Sequence, residues 1–290
     1  QVVHITTVHQ RTDARIFYKE CLSLKEAGHS VSLIVADGKG DSKEEGIKIY
    51  DIGLYNNRLK RLLFSSKKAI KKAKSLNVDV YHFHDPDLLI AIRKLKKKTN
   101  HVIFDSHEDF PILMYQRPYI PKPFQHIFFL FARHIEKTTA KKIDAVVCAT
   151  DKIRDKFLSY GIKSVITVKN YPIINIDEKE IKDKKDIPQR ACYVGGLTKI
   201  RGVKEMINAC QKASVPLTLV GPFDDKEYFN EMKNLEGWKN VEYLGVLPHK
   251  ELEEKVYNRA TIGLNLLLDA PNHRDAIPIK QLEYMASCLA

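Results

Sequence analysis

The feature that most constrains the fold of this 290-residue chain is an alternation of short apolar runs with longer amphipathic segments. Val2–Thr7, Val31–Ala36 and Val78–Phe83 have the length and β-branched content of buried strands, and helical patterns over 13–27 and 58–76 separate them. Strands that alternate with helices of this length form βαβ units around a parallel sheet. The pattern therefore predicts an α/β protein.

The alternation stops after Asn170 and restarts at Arg190–Val194. Between them, Asp177–Lys185 has mixed charge and no apolar period, which is typical of a linker. We therefore predict a Rossmann-like domain at 1–172, a linker at 173–188 and a second Rossmann-like domain at 189–290. The last predicted helix begins at Lys280 and is unfinished at Ala290, so we expect the second domain to be incomplete at its C-terminal end.

The charge is unevenly distributed along the chain. Residues 1–172 carry 31 Lys and Arg against 18 Asp and Glu, whereas residues 173–290 carry 17 against 18. Such asymmetry favours a polyanionic or membrane-surface partner for the first domain, although a well-solvated basic surface would look the same.

Three further observations bear on the cellular compartment. The longest apolar stretch, 127–132, is far shorter than the roughly 20 residues that span a bilayer. No leader pattern opens the sequence. The five cysteines are dispersed without a C-x-x-C pair, which argues against a disulfide framework or a zinc site. We expect a cytoplasmic protein, with peripheral contact to the inner face of the cell membrane as a further hypothesis.

One candidate anion site is the segment Tyr193–Gly202, which contains a strand, a glycine turn at Gly195 and Gly196, a basic residue at Arg201 and a helix start. Glycines let the backbone approach a phosphate, and a helix N-terminus favours negative charge. The spacing is not G-x-G-x-x-G, so a nicotinamide-type fingerprint is not indicated. A plain strand-to-helix turn would give the same pattern.

Gly221 follows the next predicted strand, and Gly202 opens the predicted helix at 203–212. Both are therefore expected at the sheet edge where ligands of doubly wound domains bind.

The second candidate is the segment Asp275–Ala286. Lys280 is predicted in the first turn of its helix, where a cation is unfavourable unless an anion binds there. Glu283 lies one turn further and is expected to point inward, where a ribose diol would satisfy its oxygens. An ordinary amphipathic helix with a surface lysine and glutamate is the alternative.

Asp275–Ala286 resembles the signature of family 4 of the retaining glycosyltransferases, in which two acidic residues are separated by seven others and an apolar-Met-Ala helix follows. Asp275 stands in place of the usual first Glu. The Tyr193–Gly202 segment resembles the phosphate loop of the same family, with Gly196 and Arg201 at the positions of its Arg and Lys.

This resemblance implies a GT-B fold, with two Rossmann-like domains facing a cleft. It implies that Glu283 holds the ribose of the donor and that Asp275 lies beside the transferred sugar. Arg201 and Lys280 are then expected to neutralise the diphosphate, with Gly195, Gly196, Gly202 and Gly221 in the donor site.

The first half of the chain also resembles this family. Asp105–Pro111 is similar to the loop that carries its active-site histidine, which implies that His107 contacts sugar hydroxyls. The segment Val8–Arg15 stands where many relatives have a glycine-glycine loop near the acceptor, so His9, Asp13 and Arg15 are expected on the acceptor side. This version matches a bacterial subgroup that makes surface polysaccharides.

A metal site is not expected. The run His82-Phe83-His84-Asp85-Pro86-Asp87 contains metal-binding residue types, but its spacing suits zinc poorly. The resemblance also implies that no divalent ion or other cofactor is needed.

The predicted function is transfer of a sugar, with retention, from a nucleoside-diphosphate donor to a hydroxyl of a glycan or lipid-linked acceptor. A sugar-nucleotide 2-epimerase and a catalytically inactive binding subunit remain as alternatives, the latter because Gly196 and Asp275 depart from the family pattern. The pI of 9.3 raises a nucleic-acid-binding module, but no such motif is present, so we expect no nucleic-acid partner.

Overall fold

The computed structural model describes residues 1–55, 57, 61–117, 120–172, 187–268 and 278–290. The chain forms two compact units, Gln1–Asn170 and Tyr171–Ala290. Each unit is built on a mainly parallel sheet flanked by helices, which confirms the predicted α/β class with two Rossmann-like domains. Among the described residues, no helix is long and apolar enough to cross a membrane. Most of the predicted linker, 173–186, lies outside the described residues.

The first unit contains an eight-stranded sheet in the order β3-β4-β2-β1-β5-β6-β7-β8. All neighbouring strands are parallel except β3 and β4, which form an antiparallel pair. The order reverses between β1 and β5, which is where ligands bind in doubly wound sheets. The strands are β1 (Val2–Ile5), β2 (Val31–Val35), β3 (Ser42–Glu44), β4 (Ile47–Asp51), β5 (Val80–Phe83), β6 (His101–Ser106), β7 (Ala145–Cys148) and β8 (Val165–Thr167).

The helices of this unit connect the strands and cover both faces of the sheet. Two of them begin with π-helical turns, at Ala14–Cys21 and Arg61–Ser65, and two 3₁₀ segments lie at Pro86–Leu88 and Ile112–Gln116. The α-helices are α1 (Leu22–Glu26), α2 (Ser66–Leu76), α3 (Leu89–Ile92), α4 (Lys122–Ala140) and α5 (Asp151–Ser159).

The strand alternation separates an apolar face from a polar one. Val3 and Ile5 of β1 belong to the main hydrophobic core together with Phe83 of β5. Because successive residues of a strand point to opposite faces, His4 and its lateral neighbour His82 lie on the other face. The π-helical segment covers that face, so buried polar side chains collect beneath it.

The second unit has a four-stranded parallel sheet in the order β11-β10-β9-β12. The order reverses between β9 and β12, which again marks the edge for a ligand. Its strands are β9 (Ala191–Val194), β10 (Leu217–Val220), β11 (Val241–Tyr243) and β12 (Ile262–Gly263). Its helices are α6 (Val203–Lys212), α7 (Lys226–Lys233), α8 (His249–Lys255) and α9 (Ile279–Ala286), with 3₁₀ segments at Lys199–Arg201, Glu236–Asn240 and Tyr257–Arg259.

Several predicted boundaries are wrong. The hairpin of β3 and β4 was not predicted, because its strands have only three and five residues and its two-residue turn places Glu45, a residue that rarely adopts positive φ, before Gly46. The helix predicted over 13–27 is π-helical from Ala14 to Cys21 and ends at Glu26, and the strand predicted over Val78–Phe83 begins at Val80. The helix predicted to run to Ala290 ends at Ala286, since Cys288 takes a left-handed conformation and the backbone of Ala290 bonds to Thr261.

Candidate functional site

In the second unit, the carboxyl ends of β9 and β10 approach each other closely through two glycines. Gly195 and Gly221 have φ of 143° and 135°, and a Cβ on Gly221 would lie 2.0 Å from the carbonyl oxygen of Gly195. The Gly195 N–H donates to the carbonyl of Val220 at 2.9 Å. Only glycine fits at position 221 without moving the backbone, so Gly221 shapes the turn at Gly195.

Lys280, in the first turn of α9, reaches across to this turn. Its Nζ donates to Tyr193 Oη at 2.7 Å and lies 3.8 Å from the centre of the Tyr193 ring. A Cβ on Gly195 would come within 3.1 Å of the same Nζ. Gly195 therefore leaves the space that the ammonium group needs.

The environment of Lys280 disfavours its positive charge. Burial and the nearby charge of Arg201 lower the pKa of Lys280 to about 7, although Glu283 acts in the opposite direction. Among the described residues, neither Arg201 nor Lys280 takes part in an ion pair. Two neighbouring cations with no carboxylate partner, beside a glycine turn, form a site suited to an anion.

Tyr284 sets the position of α9. Its Oη accepts a hydrogen bond from the Val194 N–H at 3.0 Å, and its ring contacts Gly263 so closely that a Cβ there would lie 2.4 Å away. Pro278 is the residue that precedes the helix. Tyr284 thus attaches α9 to β9 and β12, and it fixes the direction of Lys280.

Glu283 lies three residues after Lys280 and is partly buried. Tyr257 Oη donates to its Oε2 at 3.0 Å. This contact orients the carboxylate one turn from the ammonium group, so that a cation and an acceptor are presented by the same helix.

The remaining donor-site candidates follow β9. Gly196 is exposed and its carbonyl accepts a hydrogen bond from Tyr193 Oη at 3.2 Å. Arg201 ends a 3₁₀ turn, and Gly202, at φ 68°, begins helix α6. Leu266 Cβ would lie 3.1 Å from a Cβ on Gly202, so this position is also tightly packed. Asp275 lies outside the described residues.

In the first unit, the buried ion pair of Arg15 and Asp105 organises the polar face of the sheet. Arg15 donates from Nε and Nη2 to the two carboxylate oxygens, both at 2.9 Å, and from Nη1 to the carbonyl of Val168 at 2.8 Å. Burial opposes the charge of Asp105, but hydrogen bonds from His107, His84 and Arg15 hold its pKa well below the usual range. Arg15, predicted on the acceptor side, is buried and acts here by fixing Asp105.

His107 and His9 form the more accessible edge of this polar face. His107 Nε2 lies 3.1 Å from Asp105 Oδ2, and the rings of His107 and His9 are 5.2 Å apart. His9 Nδ1 lies 3.1 Å from Asp13 Oδ2. Although burial opposes it, this contact and the charge of Asp85 raise the pKa of His9.

Asp13 also has a clear local role. It caps the π-helical segment, because its carboxylate accepts hydrogen bonds from the N–H groups of Arg15 and Ile16, both at 2.9 Å. Burial works against ionisation, but His9 and the backbone donors lower the pKa of Asp13 to about 2. Asp13 therefore couples the start of the segment to the orientation of His9.

Sequence reasoning missed a buried cluster beneath the same segment. His4, His82 and His84 lie with their ring centres between 4.7 and 5.2 Å apart, and Glu20 faces them. Burial is the main cause that lowers the pKa of all three histidines. The available signal was the phase of the strands, since these histidines occupy the positions opposite to the core residues of β1 and β5.

The π-helical winding explains why Glu20 could not be placed from the sequence. Arg15 and Glu20 are five residues apart, which is about 140° around an α-helix. A π-helix instead bonds residue i to i+5, so the two side chains lie on one side. Arg15 Nε is 3.0 Å from Glu20 Oε1, yet Arg15 makes both its carboxylate hydrogen bonds to Asp105. Burial and the charge of Asp105 raise the pKa of Glu20.

Comparison with known proteins places these features in context. The family described as Glycosyltransferase Family 4 matches residues 14–170, which is more than half of the chain. No curated protein sequence matches the chain.

Solved structures resemble the chain over almost its whole length. WaaG, a glycosyltransferase involved in lipopolysaccharide biosynthesis, gives a TM-score of 0.69 at 14% identity and covers 100% of this chain and 80% of its own. The E. coli trehalose-6-phosphate protein bound with UDP-2-fluoro glucose gives 0.64 at 14% identity, with 99% and 81% covered. The lipopolysaccharide outer core galactosyltransferase WaaB gives 0.61 at 14% identity, with 99% and 78% covered. At this identity the likeness shows the fold, which is GT-B.

Proposed function

The chain belongs to glycosyltransferase family 4, and we propose that it transfers a sugar from a nucleoside-diphosphate donor to a hydroxyl acceptor with retention at the anomeric carbon. The observation that carries this proposal is the pair of cations, Arg201 and Lys280, beside the glycine turn at Gly195. A half-buried ammonium group next to a guanidinium is stabilised when a diphosphate binds between them.

The donor would be held by groups that the second unit already orients. The diphosphate would accept hydrogen bonds from Lys280, Arg201 and the N–H groups at the start of α6. Glu283, oriented by Tyr257, would accept hydrogen bonds from the ribose hydroxyls. Structures of similar fold that were solved with UDP-2-fluoro glucose or with UDP and glucose support a sugar nucleotide as the ligand class.

The main catalytic demand is to stabilise the negative charge on the departing diphosphate. Two cations and a helix N-terminus meet that demand without a metal ion at the diphosphate, which is how we propose the reaction proceeds. Retention would follow from attack on the face that the diphosphate leaves, with no nucleophile from the protein. His107 and Asp275 are proposed to contact hydroxyls of the transferred sugar, as the family resemblance implies.

The acceptor is proposed to be a glycan or lipid-linked precursor of a surface polysaccharide. Two proteins of similar fold, WaaG and WaaB, act in lipopolysaccharide synthesis, which supports this class. An exposed apolar stripe on α4 supports contact with a membrane surface. Its members share one face at helical spacing and are Phe124, Ile127, Phe128 and Phe131.

The two exposed cations of α4, Lys122 and Arg133, lie about 180° around the helix from this stripe, so the apolar side chains alone carry the argument. Exposed apolar side chains that share one helix face can insert at a membrane interface. We propose that α4 rests on the inner face of the cell membrane.

Product analysis tests the proposed reaction directly. The protein would be incubated with ¹⁴C-labelled sugar nucleotides and a membrane lipid extract, and the products separated and analysed by NMR. Label in the lipid fraction with the α configuration of an α-linked donor is the expected result. Free nucleoside diphosphate with an epimerised sugar would favour an epimerase, and binding without turnover would favour an inactive subunit.

Two variants and a matched control locate the activity. Lys280→Met and Glu283→Gln should each reduce turnover by at least about 100-fold, since each removes a contact to the donor. Lys212→Met changes an exposed lysine on α6 and should leave turnover unchanged. Equal turnover in all three would contradict the assigned donor site.

Co-sedimentation with liposomes tests the membrane contact. Wild-type protein should sediment with vesicles that contain phosphatidylglycerol at low salt, and Phe128→Asp with Phe131→Asp should abolish this. Leu158→Asp, a similarly exposed apolar position on α5, is the control. If the stripe variant still sediments like the wild type, α4 is not the contact.

A further inference from the structure

The buried cluster of His4, Glu20, His82 and His84 in the first unit has a geometry that sugar transfer does not explain. One oxygen, Glu20 Oε2, lies 3.7 Å from His4 Nδ1, 4.0 Å from His82 Nδ1 and 3.9 Å from His84 Nε2. These separations are too long for hydrogen bonds. Three imidazole nitrogens thus converge on one carboxylate oxygen without a hydrogen bond to it.

This carboxylate oxygen has no other partner among the described residues. Glu20 Oε2 is buried and makes no hydrogen bond, whereas buried carboxylates are nearly always satisfied. Its other oxygen faces Arg15, which is committed to Asp105. A positive centre between Glu20 and the histidines would remove this deficit.

We propose that His4, Glu20, His82 and His84 bind a divalent transition metal of the zinc class. Two ligands of a tetrahedral zinc ion with bonds of roughly 2.1 Å lie about 3.4 Å apart. The four ligand atoms here lie within 4.8 Å of one another. His4 Nδ1 and His84 Nε2 share a hydrogen bond of 2.9 Å, which binding of the metal would replace. Side-chain shifts of up to about 0.7 Å each bring the set to this spacing.

The ligand types and their support fit this metal class. Imidazole nitrogens and one carboxylate suit zinc and its neighbours better than magnesium or calcium, which prefer oxygen ligands. His84 turns its other nitrogen, Nδ1, toward Asp105 Oδ2 at 3.4 Å, and Arg15 fixes that carboxylate. A carboxylate behind a ligating histidine is a common support in zinc sites.

The position of the site indicates a structural role. Four protein ligands close the coordination shell, as in structural zinc sites, whereas catalytic sites keep an open position. Strand β1 supplies His4, β5 supplies His82, and His84 directly follows β5. The π-helical segment supplies Glu20. The metal ties that segment to the sheet, and with it Asp13, the cap that orients His9. The proposed metal site lies in the first unit and the proposed donor site in the second, so either proposal can fail without the other.

The test is metal content and metal-dependent stability. Protein purified without chelator would be analysed by inductively coupled plasma mass spectrometry. We expect about one transition-metal ion per chain in the wild type and at least about a fivefold loss in Glu20→Gln, which keeps the side-chain volume. His101→Ala removes an exposed histidine of β6 and should keep the full content.

A second measurement uses wild-type protein, so it does not require a variant to fold. Wild-type protein treated with dipicolinate would be titrated with Co²⁺ and, separately, with Zn²⁺. Visible absorption bands of tetrahedral Co²⁺ that saturate at one equivalent, and a rise in Tm of about 5 °C or more with Zn²⁺, are expected. Wild-type protein that holds no metal and shows neither response, or Glu20→Gln that matches the wild type, would overturn the proposal.

Discussion

We predict that Lys280 makes binding of the proposed donor depend on pH. Its pKa is about 7 in the free protein, because burial and Arg201 disfavour the charge. A diphosphate bound beside it favours the charged form, so the pKa must rise in the complex. Binding therefore takes up a proton whenever the pH is above 7.

The magnitude follows from the protonated fraction of Lys280 in the free protein. A group with a pKa of 7 is ~90% protonated at pH 6 and ~3% protonated at pH 8.5. If only the charged form binds, affinity for the sugar nucleotide falls ~30-fold over this range, or ~2 kcal/mol. The diphosphate of a sugar nucleotide is esterified at both ends and does not itself titrate here.

Isothermal titration calorimetry with the sugar nucleotide that binds, at pH 6 and pH 8.5, measures this change. Buffers that differ in ionisation enthalpy should also report uptake of about one proton per donor at pH 8.5. Lys280→Arg keeps its charge across the range, so its affinity should be nearly flat with pH. Lys280→Met should bind weakly at both values.

Two outcomes would refute this reasoning. Wild-type affinity that is equal at pH 6 and pH 8.5 would mean that the ammonium group does not gain a proton on binding. If the affinity of Lys280→Arg falls between pH 6 and pH 8.5 as much as that of the wild type, another group causes the pH dependence.

Two further predictions concern stability. Gly221→Ala should lower the free energy of urea unfolding of the second unit by about 3 kcal/mol or more, because the new Cβ would meet the Gly195 carbonyl oxygen at 2.0 Å. The control is Gly245→Ala, which has open space at φ 67° and should lower it by only about 1 kcal/mol. Equal losses of unfolding free energy in the two variants would contradict the packing argument. Burial raises the pKa of Glu136 to about 7 despite Lys156 at 2.8 Å, so the folded state keeps a proton that the unfolded chain releases near pH 4.5. The free energy of unfolding should therefore decrease as pH rises from 4.5 to 7, and Glu136→Gln should make its dependence on pH less steep in this range. A variant whose unfolding free energy depends on pH as steeply as that of the wild type would contradict this prediction.

The fold and the donor-site candidates could be predicted because their signals are local. The strand-to-helix turn at Gly195 and the pair Lys280 and Glu283 each lie within a dozen residues, where turn chemistry and helical spacing apply. The sequence does not show why position 221 must be glycine, because the group that leaves no room for a side chain there is the backbone carbonyl of Gly195, which follows the neighbouring strand.

The polar face of the first unit was hard to predict for two physical reasons. His4 and His82 meet only because β1 and β5, which are 78 residues apart, pair in register. Glu20 joins them only because π-helical turns replace the α-helical period that sequence patterns assume. Sequence analysis of the run that begins at His82 could therefore find only two of the four clustered residues.

The central claim, that the second unit binds a sugar nucleotide through Arg201, Lys280 and Glu283, is tested most directly by thermal-shift screening. The panel is UDP-, GDP-, ADP-, dTDP- and CMP-linked sugars, each with and without EDTA, on the wild type and Glu283→Gln. We predict that one diphosphate sugar raises Tm with or without EDTA, that a CMP-linked sugar, which has a single phosphate, does not, and that Glu283→Gln abolishes the response. No response to any diphosphate sugar, or an undiminished response in Glu283→Gln, would contradict the account.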